Sequence, residues 1–207
     1  LKPDYKYKKI VIGVDQSYTN TGLAVIADGT VVKALLVPFS SAQNKPEKRI
    51  AVARYIADIV ERALTMAPKV IVVCEQIRAF KGSSLSLEYV ATTGALVGTI
   101  VDRCFLLGVP VYSVDTRVWK ARIVGTCKPD ARNCPPCVEP QKWPTIKFIL
   151  KRTDVKKSWI TAPVTKRSKK YDLMYKNERC RYLDDVADAI CIGLYGNEKG
   201  RNMHKEW

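Results

Sequence analysis

Three short stretches rich in β-branched residues follow one another in KKIVIGVDQSYTNTGLAVIADGTVVKALLV, separated only by a Thr/Asn/Gly cluster and an Asp-Gly pair. Turn residues of this kind join neighbouring strands directly, so this part of the chain is expected to form an antiparallel three-strand meander. The pattern then changes period. From Glu47 to Met66, residues Ile50, Ala53, Ala57, Val60 and Leu64 recur at helical spacing, and VIVVCE from Val70 is a short, fully apolar strand. A polar stretch, RAFKGSS, leads to a second helix expected from about Leu85 to Leu107, and VPVYSVD from Val109 reads as the next strand. A meander followed by helix and buried strand in alternation gives a mixed sheet with helices on its faces, the α/β layer solution.

Beyond Arg117 the regularity fails. A cysteine-rich segment at about 126–140 precedes a short helix from Gln141 to Leu150, and a strongly basic segment spans 151–181. The closing LDDVADAICIGLYG places Leu183, Ala187, Ile190 and Leu194 on one helical face. At 207 residues and 47% hydrophobic content, the chain suits one domain, 1–207, carrying those two segments as insertions. No apolar run approaches the ~18 residues of a membrane span, and LKPDYKYKK contains no signal-peptide core, so a soluble cytoplasmic protein without membrane contact is expected. Thirty-five Lys and Arg against twenty Asp and Glu leave a charge of +15, which points to a polyanion, with acidic membrane surfaces the lesser alternative. Seven cysteines, with Cys74 and Cys191 inside apolar runs, argue for a reducing compartment rather than a disulfide scaffold.

The acidic residues sit at informative places. Asp15 ends the first strand, Glu75 ends the buried strand, and Asp184, Asp185 and Asp188 open the last helix. Strand ends of an open α/β sheet face the crevice where ligands bind, and Asp185 and Asp188 project from one side of their helix. Converging carboxylates repel one another, and hard divalent cations such as Mg²⁺ or Mn²⁺ relieve that cost while taking oxygen ligands. Two such ions about 3.5–4 Å apart activate a water and stabilise the leaving oxygen of a phosphodiester. Taken one at a time, helix capping by Asp184 and Asp185 and a turn fixed by Asp15, Ser17 and Thr19 explain these residues equally well. Together, in so basic a chain, they favour chemistry. The only histidine, His204, lies in a polar terminal segment, which argues against a His-centred triad.

These residues carry a resemblance. IGVDQSYTNTGLAVI is similar to the opening hairpin of RuvC-type Holliday junction resolvases, VCEQI resembles their second acidic motif, and DDVADAICIGL their closing Asp-x-x-Asp-Ala helix. GVPVYSVDTRVWKARIVGT is similar to the family's strand-plus-basic segment. The likeness covers roughly Lys9 to Gln76, Leu85 to Thr126 and Gln141 to Leu194, and the phage-encoded branch is the comparison it suggests, in which case the compartment is the host cytoplasm. It implies an RNase H-like fold with a mixed five-stranded sheet flanked by helices. It also implies Asp15, Glu75, Asp185 and Asp188 as catalytic acids holding two Mg²⁺ or Mn²⁺ ions, with Asp184 an understudy. Lys120 and Lys142 would contact DNA. The resemblance further implies a homodimer that nicks opposed strands of a branched DNA junction, leaving 5′-phosphate and 3′-hydroxyl ends. Dimerisation would use the helix after Glu75, where Gly94, Ala95 and Gly98 let another backbone approach; packing of that helix on its own sheet is the alternative. One departure is that Arg78 follows the Glu-Gln-Ile motif directly where relatives carry an aromatic, with Phe80 two residues later and Lys81 beside it.

The segment 151–181 holds eleven Lys and Arg against Asp154, Asp172 and Glu178, interleaved with Trp159, Tyr171 and Tyr175. Lys166, Arg167, Lys169 and Lys170 are its densest run, suited to phosphates with the aromatics stacking on unpaired bases; a solvated loop is the alternative. Cys127, Cys134 and Cys137, completed by Cys180 or His204, are compatible with a structural Zn²⁺, and free thiols with equal ease. Three rival functions remain in view. Actin-like and sugar-kinase ATPases share the opening signature but need two lobes and a second Gly-rich element. A catalytically silent branched-DNA binder would use the charge alone. A nuclease acting on flaps or RNA–DNA hybrids would use the same acids.

Overall fold

The computed structural model describes residues 4–17, 19–39, 44–77, 87–126, 128–130, 134–135, 138–163, 173–175, 178–198 and 203–205. The expected meander is present as β1 (Ile10–Asp15), β2 (Gly22–Ala27) and β3 (Thr30–Leu36), paired antiparallel in sequence order. Its second turn uses Asp28 and Gly29, both at positive φ, the conformation that Asp-Gly accommodates. Helix α1 (Lys45–Met66) follows, then β4 (Val70–Glu75), α2 (Leu87–Leu106) and β5 (Val111–Val114). Strand β4 lies parallel to β1 and β5 parallel to β4, so the sheet is mixed, as the alternation of helix and strand requires.

Among the described residues the sheet order is β3-β2-β1-β4-β5 followed by a sixth strand, one more than the five expected. The addition, β9 (His204–Lys205), pairs antiparallel with the edge of β5. Two exposed polar residues have no hydrophobic alternation, so periodicity gives no sign of such a strand. Strand β5 begins after Pro110, later than Val109, because proline has no N–H for the ladder.

Alternate strand residues point to opposite faces of the sheet. On one face Ile10, Ile12, Val14, Val72 and Cys74 pack against Val52, Ile56 and Val60 of α1 and Leu96 and Ile100 of α2. The α1 stripe is rotated from the expected one: Ile50 is exposed, while Val52, Ile56 and Ile59 are buried beside Ala53, Ala57 and Val60. Asn44 and Glu47 form a reciprocal capping box that starts this helix two residues before Glu47.

The other face is covered by α5 (Asp184–Asn197), buried all round from Val186 to Gly196 instead of on one stripe. Strands β1 and β2 cover one side of it. The short α3 (Thr116–Trp119), its π-helical continuation Lys120–Val124 and α4 (Trp143–Leu150) cover the rest. Glycines allow this close seating: a Cβ on Gly13 would collide with the backbone of Ala189 and Gly193, and one on Gly22 with the Asp185 carbonyl. Of the basic segment, Arg152 pairs with Asp154, which accepts from Val31 N–H at 2.8 Å, and Ile160 is buried in the α5-side core. A small second sheet, β6 (Thr161–Pro163), β8 (Glu178–Tyr182) and β7 (Leu173–Tyr175), completes the described part. Among the described residues no helix is long and apolar enough to cross a membrane.

Candidate active site

Because β1 and β4 run parallel side by side, their C-terminal residues, Asp15 and Glu75, emerge together at one end of the sheet. Gln16 ties the two strand ends where the ladder stops: its side-chain amide donates to the Glu75 carbonyl at 2.6 Å and accepts from the Glu75 N–H at 3.0 Å. Opposite Asp15 in the β1–β2 register stands Gly22, and on Gly22 rests the first turn of α5. Close glycine contact therefore brings Asp185 and Asp188 to the same end.

The carboxylates act on one another. Burial, then the charges of Glu75, Asp188 and Asp185, hold the Asp15 carboxyl well above the ordinary aspartate range, with Lys142 opposing. Burial and then Asp184 push Asp185 up to about 6, again with Lys142 opposing. Glu75 is raised by burial, against a hydrogen bond from Thr116. Its Oε1 accepts from the Thr116 hydroxyl at 2.5 Å and from Trp119 Nε1 at 3.3 Å, so the helix after β5 orients it. Trp119 is fully buried, and the Lys120 ammonium stands 5.2 Å from its ring centre.

Lys142, immediately before α4, places Nζ 3.2 Å from Asp184 Oδ2 and 3.3 Å from Asp188 Oδ2. Burial works against its charge, but Asp188, Asp184 and Asp15 together raise its pKa well above the usual lysine value. Asp188 is 4% exposed, and its other oxygen, Oδ1, is buried without a hydrogen-bond partner among the described residues. A buried, unpartnered carboxylate oxygen among other acids suits a hard cation, and the donor set of Asp15, Glu75, Asp185 and Asp188 is all oxygen. Among the described residues, no three such side chains stand close enough to hold an ion as they are.

The sequence-expected residues thus divide. Asp15, Glu75, Asp185, Asp188, Lys120 and Lys142 gather at one end of the sheet, and Asp184 pairs with Lys142 at the outer edge. Arg78, Phe80, Lys81, Lys166, Arg167, Lys169 and Lys170 lie outside the described residues, as do Cys127 and Cys137. Cys134 directs its thiol at the Val138 carbonyl, 3.1 Å away, and His204 is exposed on β9. Gly94 and Gly98 do not pack on the sheet: they face open space and line a groove of about 400 Å³ together with Glu75, Gln76, Val101 and Ser113. Helix α2 meets the core through Leu96, Ile100 and Cys104 instead. Sequence reasoning missed Gln16, Thr116, Trp119 and Tyr89, whose phenol is raised by burial and by the fields of Asp15 and Glu75. For Gln16 and Thr116 the available signal was adjacency to a strand end; for Tyr89 there was none.

No protein-family model matches the chain, and no curated protein matches it by sequence. Solved structures do. The RuvC of Thermus thermophilus in complex with a Holliday junction substrate superposes with a TM-score of 0.58 at 16% identity, over 95% of this chain and 98% of that one. Thermus thermophilus RuvC in a second structure gives 0.57 at 17% identity, over 95% and 99%. The yeast mitochondrial Holliday junction resolvase Ydc2 gives 0.51 at 12% identity, over 97% and 85%. The chain therefore shares the fold of these structures, an RNase H-like mixed sheet flanked by helices.

Proposed function

We propose that this chain is a metal-dependent endodeoxyribonuclease that resolves four-way (Holliday) and related branched DNA junctions, nicking opposed strands as a homodimer. The convergence of Asp15, Glu75, Asp185 and Asp188 at one sheet end, in a RuvC-type fold of net charge +15, carries the reading. These four acids would hold two Mg²⁺ or Mn²⁺ ions. The chemistry such ions supply when bound is activation of water and stabilisation of the departing 3′ oxygen of a phosphodiester. The chain's own part is to aim the carboxylates. Gln16 locks the backbone of Glu75, Thr116 and Trp119 fix its side chain, and Gly22 seats the helix turn carrying Asp185.

Lys120 and Lys142 bring positive charge to the cleavage site, and Arg78, Phe80, Lys81, Lys166, Arg167, Lys169 and Lys170 are proposed as further DNA contacts. A structural Zn²⁺ on Cys127, Cys134 and Cys137 stays part of the proposal, tested by metal analysis of protein prepared without chelator. The open Gly94/Gly98 face of α2, with Leu87, Phe105 and Leu106 exposed on the same helix, supports dimerisation there.

The test offers a labelled four-way junction, a linear duplex, a flap and an RNA–DNA hybrid, with and without Mg²⁺, to wild type and to Asp15→Asn. Incision near the branch point that requires Mg²⁺, and an Asp15→Asn protein that binds but does not cut, are expected. Binding should weaken steeply with salt. Equal cutting of the linear duplex would remove the junction-resolving reading, and undiminished cutting by Asp15→Asn would remove the assignment of the acids.

A further inference from the structure

Four carboxylates, those of Asp15, Asp184, Asp185 and Asp188, act on the half-buried ammonium of Lys142 on the α5 side of the site, while Glu75 is answered by Lys120. The two oxygens of Asp188 are unequal. Oδ2 already has a cation, with Lys142 Nζ at 3.3 Å, while Oδ1 is buried and has no donor among the described residues. Asp184, one helical turn before Asp188 and therefore on the same face of α5, holds the same ammonium from the outer side at 3.2 Å. A carboxylate in this state offers two cation positions, one open and one filled by the protein itself.

We infer that Lys142 is a built-in counter-cation that occupies one of two cation positions at Asp188, so that the free protein takes up one divalent ion readily and a second only when Lys142 withdraws. The inference rests on the nuclease reading and deepens it. The arrangement solves a stability problem, because clustered carboxylates with no neutralising charge are costly in a partly buried place. Lysine suits this role. Its ammonium is a compact point charge on a flexible four-carbon stem, able to leave one anion for another without moving the backbone. The competing anion at hand is a DNA phosphate, since Lys142 borders the site where the backbone would lie. Phosphate and the second ion would then help each other to bind, each favoured by the departure of the same side chain, and such coupling is reciprocal.

Asp184 has a defined part in this scheme. It anchors the ammonium in its resting place and is not itself a ligand of the divalent ion.

The experiment titrates Mn²⁺ into the full chain, stripped with chelator and free of DNA, following bound metal by electron paramagnetic resonance and by calorimetry. Wild type should show one ion per chain at the site, with a second at least roughly ten-fold weaker, inside the ordinary 5–150-fold range of coupling between sites. Lys142→Gln should tighten the second ion by about the same factor, bringing the two affinities together. Asp184→Asn, at a more exposed position and so less demanding of the fold, should tighten the second ion or leave it as it is. Two equal sites in wild type would overturn the inference without any variant, and so would a Lys142→Gln protein whose second ion is no tighter. Weaker second-ion binding by Asp184→Asn would make Asp184 a ligand and overturn its anchoring role. Those results leave the nuclease reading standing. That reading fails separately if wild type binds no Mn²⁺ at the site at all.

Discussion

Gly13→Ala is the sharpest test of how this fold assembles its candidate site. Strand propensity favours the substitution, since glycine inside a regular element costs about 0.5–1 kcal/mol relative to alanine. The structure reverses the sign. A Cβ at residue 13 would lie 2.5 Å from the Gly193 nitrogen and 2.8 Å from its Cα, and would also strike the Ala189 carbonyl. All three atoms belong to the backbone of a helix buried all round, so no side chain can swing aside. Overpacking of a core costs about 1–3 kcal/mol, and walls this rigid place the expectation at the upper end, leaving about 2 kcal/mol after the propensity gain is subtracted. In a domain of this size about 1 kcal/mol shifts Tm by about 2–4 °C, so a fall of about 4–8 °C is expected. Urea and thermal unfolding followed by circular dichroism measure it. Because α5 carries Asp185 and Asp188, the folded variant should also lose Mg²⁺-dependent cutting more than its stability loss explains. A variant as stable as wild type, or more so, would refute the claim that α5 is seated on β1 through this glycine contact.

Two further outcomes follow from the same structure. Gly98→Ala, whose Cβ meets nothing within 4 Å, should stabilise the protomer by about 0.5–1 kcal/mol as a helix substitution yet weaken self-association in sedimentation; unchanged association would move the dimer contact elsewhere. In chelator, Asp185 keeps its proton in the folded chain up to about 6, against 3.8 for an ordinary aspartate. Between those values the folded state binds more protons than the unfolded one, so the stability Asp185 contributes is present below 3.8 and is lost as pH rises through about 6. The difference in urea midpoint between wild type and Asp185→Asn should therefore move against wild type as pH rises through that window; movement in the opposite direction would show that the carboxylate is neither desolvated by burial nor crowded by Asp184.

Much of the architecture was legible in the chain because the signals are local. Runs of β-branched residues set off by Thr/Asn/Gly and Asp-Gly turns marked β1 to β3, a helical period marked α1 and α2, and a wholly apolar run marked β4. The positions of Asp15 and Glu75 at strand ends came from the same reading. Where burial is not one-sided the method falters. Helix α5 shows one apolar stripe on paper but is enclosed on every side by the sheet, α3 and α4. The edge strand β9 has no hydrophobic pattern at all.

Tertiary structure alone decided how the acids are shared. Sequence spacing puts Asp185 and Asp188 on one side of the helix but leaves the register against Asp184 open, whereas the seating of α5 on Gly13 and Gly22 turns Asp185 and Asp188 toward Asp15 and leaves Asp184 to Lys142. The pairing of Gln16 with Glu75 spans 59 residues, and that of Lys142 with Asp188 spans 46. No local period encodes contacts of that range. They exist because backbone packing brings distant segments to one sheet end, and the long-range attraction and repulsion of charges then sort the side chains among partners the chain order never made neighbours.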